Sequence, residues 1–308
     1  MTTRFHLSLV TKRALGALAL ACALPAASVA QPATPHASSA SATTSKHMLF
    51  RVRGRDGATL YLLGSVHLLS AEAGKLPPQV DSAFAEAKTV AFEVNLDTMQ
   101  LRATEILGKA RYTDGSTLSS SLGDDATHVD SLLHLYGLSL KQVDGFKPWF
   151  VSILLTQLGL QRAKFEAQYG VDIQMNARAH AAQKPIVGLE SVDVQLNLFD
   201  SLSPADQRRM LLEMKGPDSA AVELTKLKDA WQAGDTASID ARLNAQVEQS
   251  PQMFDVLVVN RNKSWMPRIE QFLTGHDDAL VVVGAAHLVG KQGVLEMLRA
   301  KGYTIDQL

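Results

Sequence analysis

The chain has 308 residues, and 46% of them are apolar, so it can bury one large core or two small ones. Its 30 basic and 31 acidic residues leave a formal net charge of −1. This balance argues against a surface that binds nucleic acid or an anionic membrane, and it favours a small-molecule or peptide substrate.

The first 30 residues have the pattern of an export signal. Arg4, Lys12 and Arg13 form a positive start, and residues 14–24 form an apolar run. A run of about 11 residues is too short to cross a bilayer. Ser28-Val29-Ala30 supplies the small residues that signal peptidase requires. We therefore predict a signal peptide over residues 1–30, cleavage after Ala30, and a periplasmic or secreted protein with no membrane span.

Cys22 is the single cysteine of the chain, and it lies inside this segment. The mature protein is therefore expected to have no disulfide, no thiolate nucleophile and no cysteine metal ligand. Leu18-Ala19-Leu20-Ala21-Cys22 resembles a bacterial lipoprotein box, so lipid attachment at Cys22 is the alternative to secretion. Residues 31–46 are rich in Ala, Ser, Thr and Pro and predict a flexible linker, which leaves residues 47–308 as a single folded domain.

The folded domain begins with two apolar segments, residues 48–52 and 58–66, on either side of Gly54-Arg55-Asp56-Gly57. This pattern predicts a β-hairpin. The second segment is rich in branched side chains, as in a strand that is buried on both faces, and it ends in Gly64-Ser65-Val66-His67. A glycine lets the backbone turn or come close to a ligand as the strand ends.

The same pattern recurs near the other end of the chain, where the apolar residues 279–283 precede Gly284-Ala285-Ala286-His287. Each copy is followed by a helical segment and another short strand, so both halves predict strand–helix–strand units. The histidines would lie at the carboxyl edge of the sheet, where open α/β folds place their ligands. One such histidine could be a core or capping residue, whereas two at matched positions predict a shared site.

Two carboxylates follow strand-like segments in the same way. Glu93 lies near the end of the strand-like residues 89–94, and Glu190 follows Pro185-Ile186-Val187-Gly188-Leu189. A carboxylate within a buried strand is costly unless it is paired or binds a metal. For Glu93, a strand end that faces solvent is the alternative. The first reading places two histidines and two glutamates at one sheet edge.

The chain between these carboxylates is helical in pattern. Residues 99–184 predict a helical insertion. Asp172 lies in the first turn of one of its helices, where a carboxylate interacts favourably with the helix dipole, and a role in the site is the alternative. Further helices extend to about residue 273, and the last of them carries Arg261 and Asn262. Arg261 either forms a surface ion pair or reaches the site to hold a carboxylate or an oxyanion.

These elements predict an α/β fold. Its central, mostly parallel sheet has flanking helices, and its two strand–helix–strand halves are separated by the helical insertion.

The residue types at the predicted edge suit two kinds of hydrolytic chemistry. Imidazole and carboxylate are good ligands for Zn, Mn, Co or Fe, and a metal lowers the pKa of bound water. A metal-free His/Glu acid–base pair is the competing reading, because the ligands are scattered and no H-E-x-x-H motif is present. The sequence also lacks a G-x-S-x-G motif, a Gly-rich phosphate loop and a G-x-G-x-x-G motif after a strand, which argues against nucleotide chemistry.

Taken together, the motifs resemble the TraB/GumN family, in family order, over about residues 47 to 308. The segments that carry the resemblance are Tyr61-Leu62-Leu63-Gly64-Ser65-Val66-His67-Leu68-Leu69, Phe92-Glu93-Val94, Lys147-Pro148-Trp149, Tyr169-Gly170-Val171-Asp172, Gly188-Leu189-Glu190-Ser191, Arg261-Asn262, Val283-Gly284-Ala285-Ala286-His287-Leu288-Val289-Gly290 and Gly302-Tyr303. Each segment is short, so their order and the two G-x-x-H elements carry the specificity. The family is related to the Tiki metalloproteases, which cleave Wnt proteins, and more distantly to the erythromycin esterase and ChaN-like group.

The resemblance implies an exported metal-dependent hydrolase, peptidase-like, that uses Mn or Co, with Zn or Fe as alternatives. It implies a peptide or a small amide or ester as substrate. His67, Glu93 and His287 are the expected metal ligands, with Gly64 and Gly284 as backbone turns. The expected catalytic residues are Glu93, Glu190, Arg261 and Asn262.

Two other functions remain open at this point. One is a haem- or metal-binding envelope protein without hydrolytic activity, and the other is a polysaccharide-export accessory protein.

The sequence also departs from the family pattern at Asn260, where an acidic residue often precedes the Arg-Asn pair. If that acid assists the chemistry, the activity of this protein is weakened.

Overall fold

The computed structural model describes residues 46–55 and 57–308. The predicted export signal, Cys22 and nearly all of the predicted linker lie outside this part of the chain. Within it, six strands form one sheet in the order β4-β3-β5-β2-β1-β6. The strands are β1 (Leu49–Arg53), β2 (Thr59–Ser65), β3 (Thr89–Phe92), β4 (Ile186–Gly188), β5 (Ala279–Gly284) and β6 (Ile305–Gln307).

The sheet is mixed, so the prediction of a mostly parallel sheet is only partly right. The pairs β2–β5, β5–β3 and β3–β4 are parallel, whereas β1–β2 and β1–β6 are antiparallel. The hairpin of β1 and β2 confirms the prediction for the first two segments. A connection this short cannot carry the chain back for a parallel pairing, so β1 must run against β2.

The sequence pattern of β2 and β5 explains why they form the centre of the sheet. Nearly every residue of both strands is buried, as expected for strands covered on both faces. Their register pairs Gly64 with Val283 and Ser65 with Gly284. Because the two strands are parallel and neighbouring, the two G-x-x-H segments leave the sheet at the same edge.

Helices fill the chain between β3 and β4 and again between β4 and β5. Before them, α1 (Pro78–Glu86) lies between β2 and β3. The helices between β3 and β4 are α2 (Leu96–Leu101), α3 (Ala103–Lys109), α4 (Leu118–Leu122), α5 (Ala126–Leu135), α6 (Leu140–Val143), α7 (Pro148–Arg162) and α8 (Val171–Ala181). The second group is α9 (Val192–Asn197), α10 (Pro204–Leu212), α11 (Pro217–Gln232), α12 (Thr236–Gln249), α13 (Pro251–Phe254) and α14 (Asn260–Leu273), with a π-helical turn over Asp255–Val259. Two short helices, α15 (Ala285–Leu288) and α16 (Val294–Ala300), follow β5.

The helical pair α11–α12 is held against the end of β2. The indole nitrogen of Trp231, near the end of α11, donates a 2.6 Å hydrogen bond to the carbonyl oxygen of Gly64. Both groups are buried, so this bond fixes the helical pair to the strand end that carries the first G-x-x-H segment. Among the described helices, none has the length and apolar character needed to cross a bilayer.

Candidate active site

His67 is oriented by the first turn of α8. Its Nδ1 lies 2.7 Å from Oδ2 of Asp172, and the hydroxyl of Ser65 donates to the other carboxylate oxygen at 3.0 Å. The backbones touch here as well: a Cβ on Gly170 would come within 2.0 Å of the His67 carbonyl oxygen. Glycine at this position therefore lets α8 approach closely enough for Asp172 to reach the imidazole.

The carboxylate of Asp172 keeps His67 positively charged at neutral pH. Burial lowers the pKa of His67, but the charge and the hydrogen bond of Asp172 outweigh burial, and Glu93 adds to their effect. Together they raise the pKa to about 9. Because Nδ1 donates to Asp172, the Nε2–H group of the imidazolium is the one that can act on a ligand.

Glu93 follows β3 and is buried at the centre of the site. Its Oε1 accepts a hydrogen bond from the backbone N–H of Gly284 at 2.8 Å, and its Oε2 accepts from Nη2 of Arg261 at 2.6 Å. Burial raises the pKa of Glu93, but Arg261, above all, lowers it well below the usual value of a carboxyl group. Glu93 is therefore an ionised, paired carboxylate in the folded protein.

Arg261 connects the other groups of the site, and the predicted ion pair is internal rather than on the surface. Nη2 also donates to Glu190 at 2.7 Å, and Nε contacts both oxygens of Glu190 at 3.1 Å. Nη1 donates to the Leu257 carbonyl at 3.2 Å and to Nε2 of His287 at 3.1 Å. All five N–H groups of the guanidinium thus have acceptors within the protein.

Glu190 holds Arg261 in place. Besides the guanidinium, it accepts hydrogen bonds from Gln195 at 2.7 Å and from the indole N–H of Trp265 at 2.9 Å. Its main chain is adjacent to that of Glu93, because the N–H of Glu190 donates to the Glu93 carbonyl at 2.9 Å. Both carboxylate oxygens of Glu190 already accept hydrogen bonds from protein groups, so the geometry favours a role in positioning Arg261 rather than contact with a substrate.

His287 has a different partner from His67. Its Nδ1 lies 2.7 Å from Oδ1 of Asn262, whose amide nitrogen donates to the carbonyl oxygens of His287 and Gln292 at 3.2 and 2.8 Å. These two bonds assign the amide orientation, so Nδ1 of His287 must carry the proton. Burial is the main reason that the pKa of His287 is lowered to about 3; the charge of Glu93 raises this pKa, and the smaller effects of Arg261 and His67 lower it. His287 is therefore neutral, with its lone pair on Nε2.

Gly284 is the point on which these groups converge. A Cβ built on this residue would lie 3.3 Å from Oε1 of Glu93, 3.5 Å from Cδ2 of His287 and 3.6 Å from Nε2 of His67. A side chain here would occupy space that faces both imidazoles and the carboxylate. The predicted role of Gly284, a close backbone approach at the site, agrees with this crowding.

A three-ligand metal site does not fit this arrangement. Within the described residues, no group of three or more His, Asp or Glu side chains has the geometry to hold an ion. The physical reason is at His287, because Nδ1 is bound to Asn262 and Nε2 accepts from the Arg261 guanidinium. A metal ion at Nε2 of His287 would displace the N–H group of Arg261 and would be repelled by the positive charge of the guanidinium. Glu93 Oε1 and, after loss of its proton, His67 Nε2 are the two ligand atoms that remain within reach of one point.

A cavity of about 420 Å³ opens onto this centre. Its inner wall includes His67, Gly284 and His287, and its other walls come mainly from α11, α12 and the end of α7. This volume lies within the range of about 300–1,000 Å³ that is usual for small-molecule sites. The two imidazoles therefore adjoin a space that is large enough for a substrate.

The sequence did not assign all of the residues that form the site. The sequence explains Asp172 by its place at a helix start, with a site role as the alternative, but it does not pair Asp172 with His67, which lies far away in the chain. Trp265 and Trp231 were also not predicted to bind site residues. One available signal is Gly170-Val171-Asp172, since a glycine at the start of a helix, two residues before an acid, suggests a close backbone contact.

Comparison with known proteins agrees with these motifs. The model of the TraB/PrgY/gumN family matches residues 48–307. The chain is 24% identical over 246 residues to the uncharacterized protein YbaP of Escherichia coli (strain K12), covering 78% of this chain and 87% of that protein. YbaP of Shigella flexneri matches equally well. No solved structure matches significantly. Because the family model spans nearly all of the described chain, the protein belongs to the TraB/PrgY/gumN family.

Proposed function

We propose that this protein is a hydrolase that cleaves an amide or a related acyl bond by metal-free acid–base catalysis. One observation carries the proposal: the imidazoles of His67 and His287 both lie beside Gly284 and line a cavity, and one is bonded to a carboxylate whereas the other is bonded to an amide and a guanidinium. Buried pairs of titratable groups whose surroundings drive their pKa values apart are a recurring basis for acid and base roles.

In the proposed reaction, the two histidines have separate roles. Nε2 of His287 takes a proton from a water molecule, and the water oxygen forms a bond to the carbonyl carbon of the substrate. The Nε2–H of His67 donates first a hydrogen bond to the substrate and then its proton to the leaving nitrogen as the carbon–nitrogen bond breaks. Proton transfer from His287 back to His67 through water completes the cycle, so that one water is consumed for each bond cleaved.

The remaining groups hold this arrangement. Water reaches His287 only if Nη1 of Arg261 leaves Nε2, and Nη1 keeps the Leu257 carbonyl as its second acceptor. The N–H group released in this way would then donate to the developing oxyanion, which is the role expected for Arg261. Glu93 holds Arg261 and the Gly284 backbone, and Asn262 fixes the tautomer of His287.

The test is cleavage of a panel of fluorogenic amide, ester and peptide substrates by the purified protein and by two variants. His67→Ala and His287→Ala should each lower kcat/KM by about 10²–10⁴-fold, the usual contribution of a general acid or base. His276→Ala, an exposed histidine, is the matched control and should leave kcat/KM unchanged. Cleavage that persists in both site variants would contradict the proposal.

A second candidate is a hydrolase that uses a divalent metal, with Mn or Co favoured and Zn or Fe as alternatives. The observation that favours it is the approach of His67 Nε2 and Glu93 Oε1 to one point near Gly284. These two residues would hold the ion once His67 has lost its Nε2 proton, and the ion would supply a Lewis acid and an activated water. Metal analysis of the purified protein, followed by chelation and re-addition of Mn, separates this candidate from the metal-free one.

We also propose that the protein acts outside the cytoplasm, in the periplasm or as a secreted protein, after removal of residues 1–30. Mass spectrometry of the mature chain tests this, because a start at Gln31 supports signal cleavage and a lipidated start at Cys22 supports membrane anchoring. A Tiki-like peptidase activity would appear in the peptide arm of the substrate panel. Haem binding without cleavage would favour an envelope binding protein instead.

A further inference from the structure

We infer that the cavity beside His67 and His287 binds an aliphatic chain, and that the substrate is an acyl amide or acyl ester whose acyl chain fills it. This inference rests on the proposed hydrolase and specifies its substrate class. The reacting carbonyl would lie at the Gly284 end of the cavity, and the chain would extend between α7, α11 and α12.

The cavity wall is aliphatic. Six of its side chains come from α7, α11, α12 and the π-helical turn, namely Leu160, Leu224, Leu227, Ile239, Leu243 and Val258. Tyr136 is the one Phe, Tyr or Trp residue in the lining, so an aromatic substrate group would find little ring stacking. Branched aliphatic walls instead favour a flexible hydrocarbon chain, which gains free energy by leaving water.

The hydroxyl groups of the wall have few hydrogen bonds to offer a ligand. The hydroxyls of Thr156, Ser219 and Tyr136 each donate to a main-chain carbonyl, at 2.9, 2.8 and 2.9 Å. The hydroxyl of Ser65 donates to Asp172. A peptide backbone beside these hydroxyls would therefore have carbonyl groups without donors, since Gln249 and Lys215, which can donate, are exposed. Each buried unpaired group costs free energy. A hydrocarbon chain has no such groups.

The charged groups of the wall are largely neutralised by each other. Glu223 accepts from Arg242 and from Lys226, both at 2.8 Å. Glu213 and Lys215, which are exposed, add one charge of each sign at the solvent side. Apart from His67, whose charge is paired with Asp172, the charged side chains of the wall are therefore two of each sign, and the exposed pair can accept the polar remainder of a substrate.

The first experiment measures binding without chemistry. Straight-chain alcohols from butanol to decanol cannot be hydrolysed, and their affinity is measured by calorimetry with the full-length mature protein. Each added methylene should tighten binding about threefold to fourfold until the cavity is filled. An affinity that does not depend on chain length would overturn the inference, even if the protein hydrolyses amides.

A matched pair of variants locates the chain. Ala220 lies in the cavity wall on α11, whereas Val222, two residues further along the same helix, is 52% exposed. Ala220→Trp should fill the cavity and weaken decanol binding at least tenfold, and Val222→Trp should leave it unchanged. Equal effects of the two variants would place the chain elsewhere and contradict the inference. Circular dichroism confirms that both variants fold.

The second experiment connects the cavity to the chemistry. Acetyl, hexanoyl and decanoyl amides of one fluorogenic amine are compared with a trileucine amide of the same amine. The inference expects kcat/KM to rise with chain length and the decanoyl amide to exceed the peptide. A peptide preference overturns the acyl-chain inference and leaves the proposed hydrolase intact. Chain-length-dependent binding without any cleavage contradicts the hydrolase and leaves the aliphatic site intact.

Discussion

The two G-x-x-H segments begin alike and end in opposite electrostatic states. Both follow a central buried strand, and both direct an imidazole towards Gly284. His67 then meets the carboxylate of Asp172, whereas His287 meets the amide of Asn262 and the guanidinium of Arg261. The first imidazole is charged and the second is neutral at pH 7.

This difference shows that the repeated motif determines where each histidine lies, whereas the neighbouring side chains determine its protonation state. A strand end and a glycine bring each histidine to the same edge of the sheet. The protonation state comes from α8 in one case and from α14 in the other. Changing the partners should therefore alter the two histidines separately, and the following four experiments proceed from the largest expected effect to the smallest.

Arg261→Met should have the largest effect, because it leaves Glu93 and Glu190 buried beside each other without their shared cation. Removal of one partner from a buried ion pair typically costs about 3–5 kcal/mol of the free energy of unfolding. Urea denaturation measures the loss. Arg268→Met, on the exposed side of the same helix, is the control and should change stability by less than about 0.5 kcal/mol. Similar losses in both variants would contradict the role of Arg261.

Asp172→Asn should make His67 resemble His287. Without the carboxylate, the pKa of His67 should fall from about 9 towards or below its ordinary value, and NMR titration of the imidazole measures this. In the native protein the raised pKa contributes about 3 kcal/mol of stability. That contribution is fully present below pH 6.5 and is lost as the pH rises through about 9.

The same variant therefore predicts a change in how stability depends on pH. The free energy of unfolding of the native protein should decrease between pH 6.5 and 9, and this decrease should be much smaller in Asp172→Asn. Asp277→Asn changes an exposed carboxylate in the same way and should keep the native profile. If the stability of Asp172→Asn depends on pH as in the native protein, Asp172 does not control the pKa of His67.

Asn262→Asp is the converse change, since it gives His287 a carboxylate partner. The pKa of His287 should rise from about 3, because the new charge stabilises the imidazolium. Stability should fall by about 1–2 kcal/mol, since two carbonyl groups lose the amide donor. Asn260→Asp introduces the same charge at an exposed position two residues earlier, and it should leave the pKa of His287 nearly unchanged.

Metal removal should have the smallest effect. Dialysis against EDTA is expected to change kcat/KM by less than about twofold, because the proposed acid–base reaction of His67 and His287 uses no metal. An activity that disappears on chelation and returns with Mn, but not with Mg, would instead support the metal-dependent candidate. The roles of the two histidines would then have to include a bound metal ion.

Much of the architecture was predictable from local patterns. The hairpin of β1 and β2, the buried strand β5 and the long helix α7 each follow from apolar periodicity and turn residues. The parallel layout was overestimated because β1 and β6 occupy one edge of the sheet, and the pattern of a short strand does not reveal the direction of its neighbour. His67, Glu93, Glu190, Arg261 and His287 were named from sequence, and the structure brings them together.

The sequence by itself determined which residue types stand at the ends of the strands, because strand length, glycine position and apolar alternation are local properties. Only the tertiary structure decided which partner each histidine meets, since Asp172 and Asn262 lie on helices that pack against the sheet from distant parts of the chain. Protonation depends on charges and burial within a few ångströms, and such distances are properties of packing.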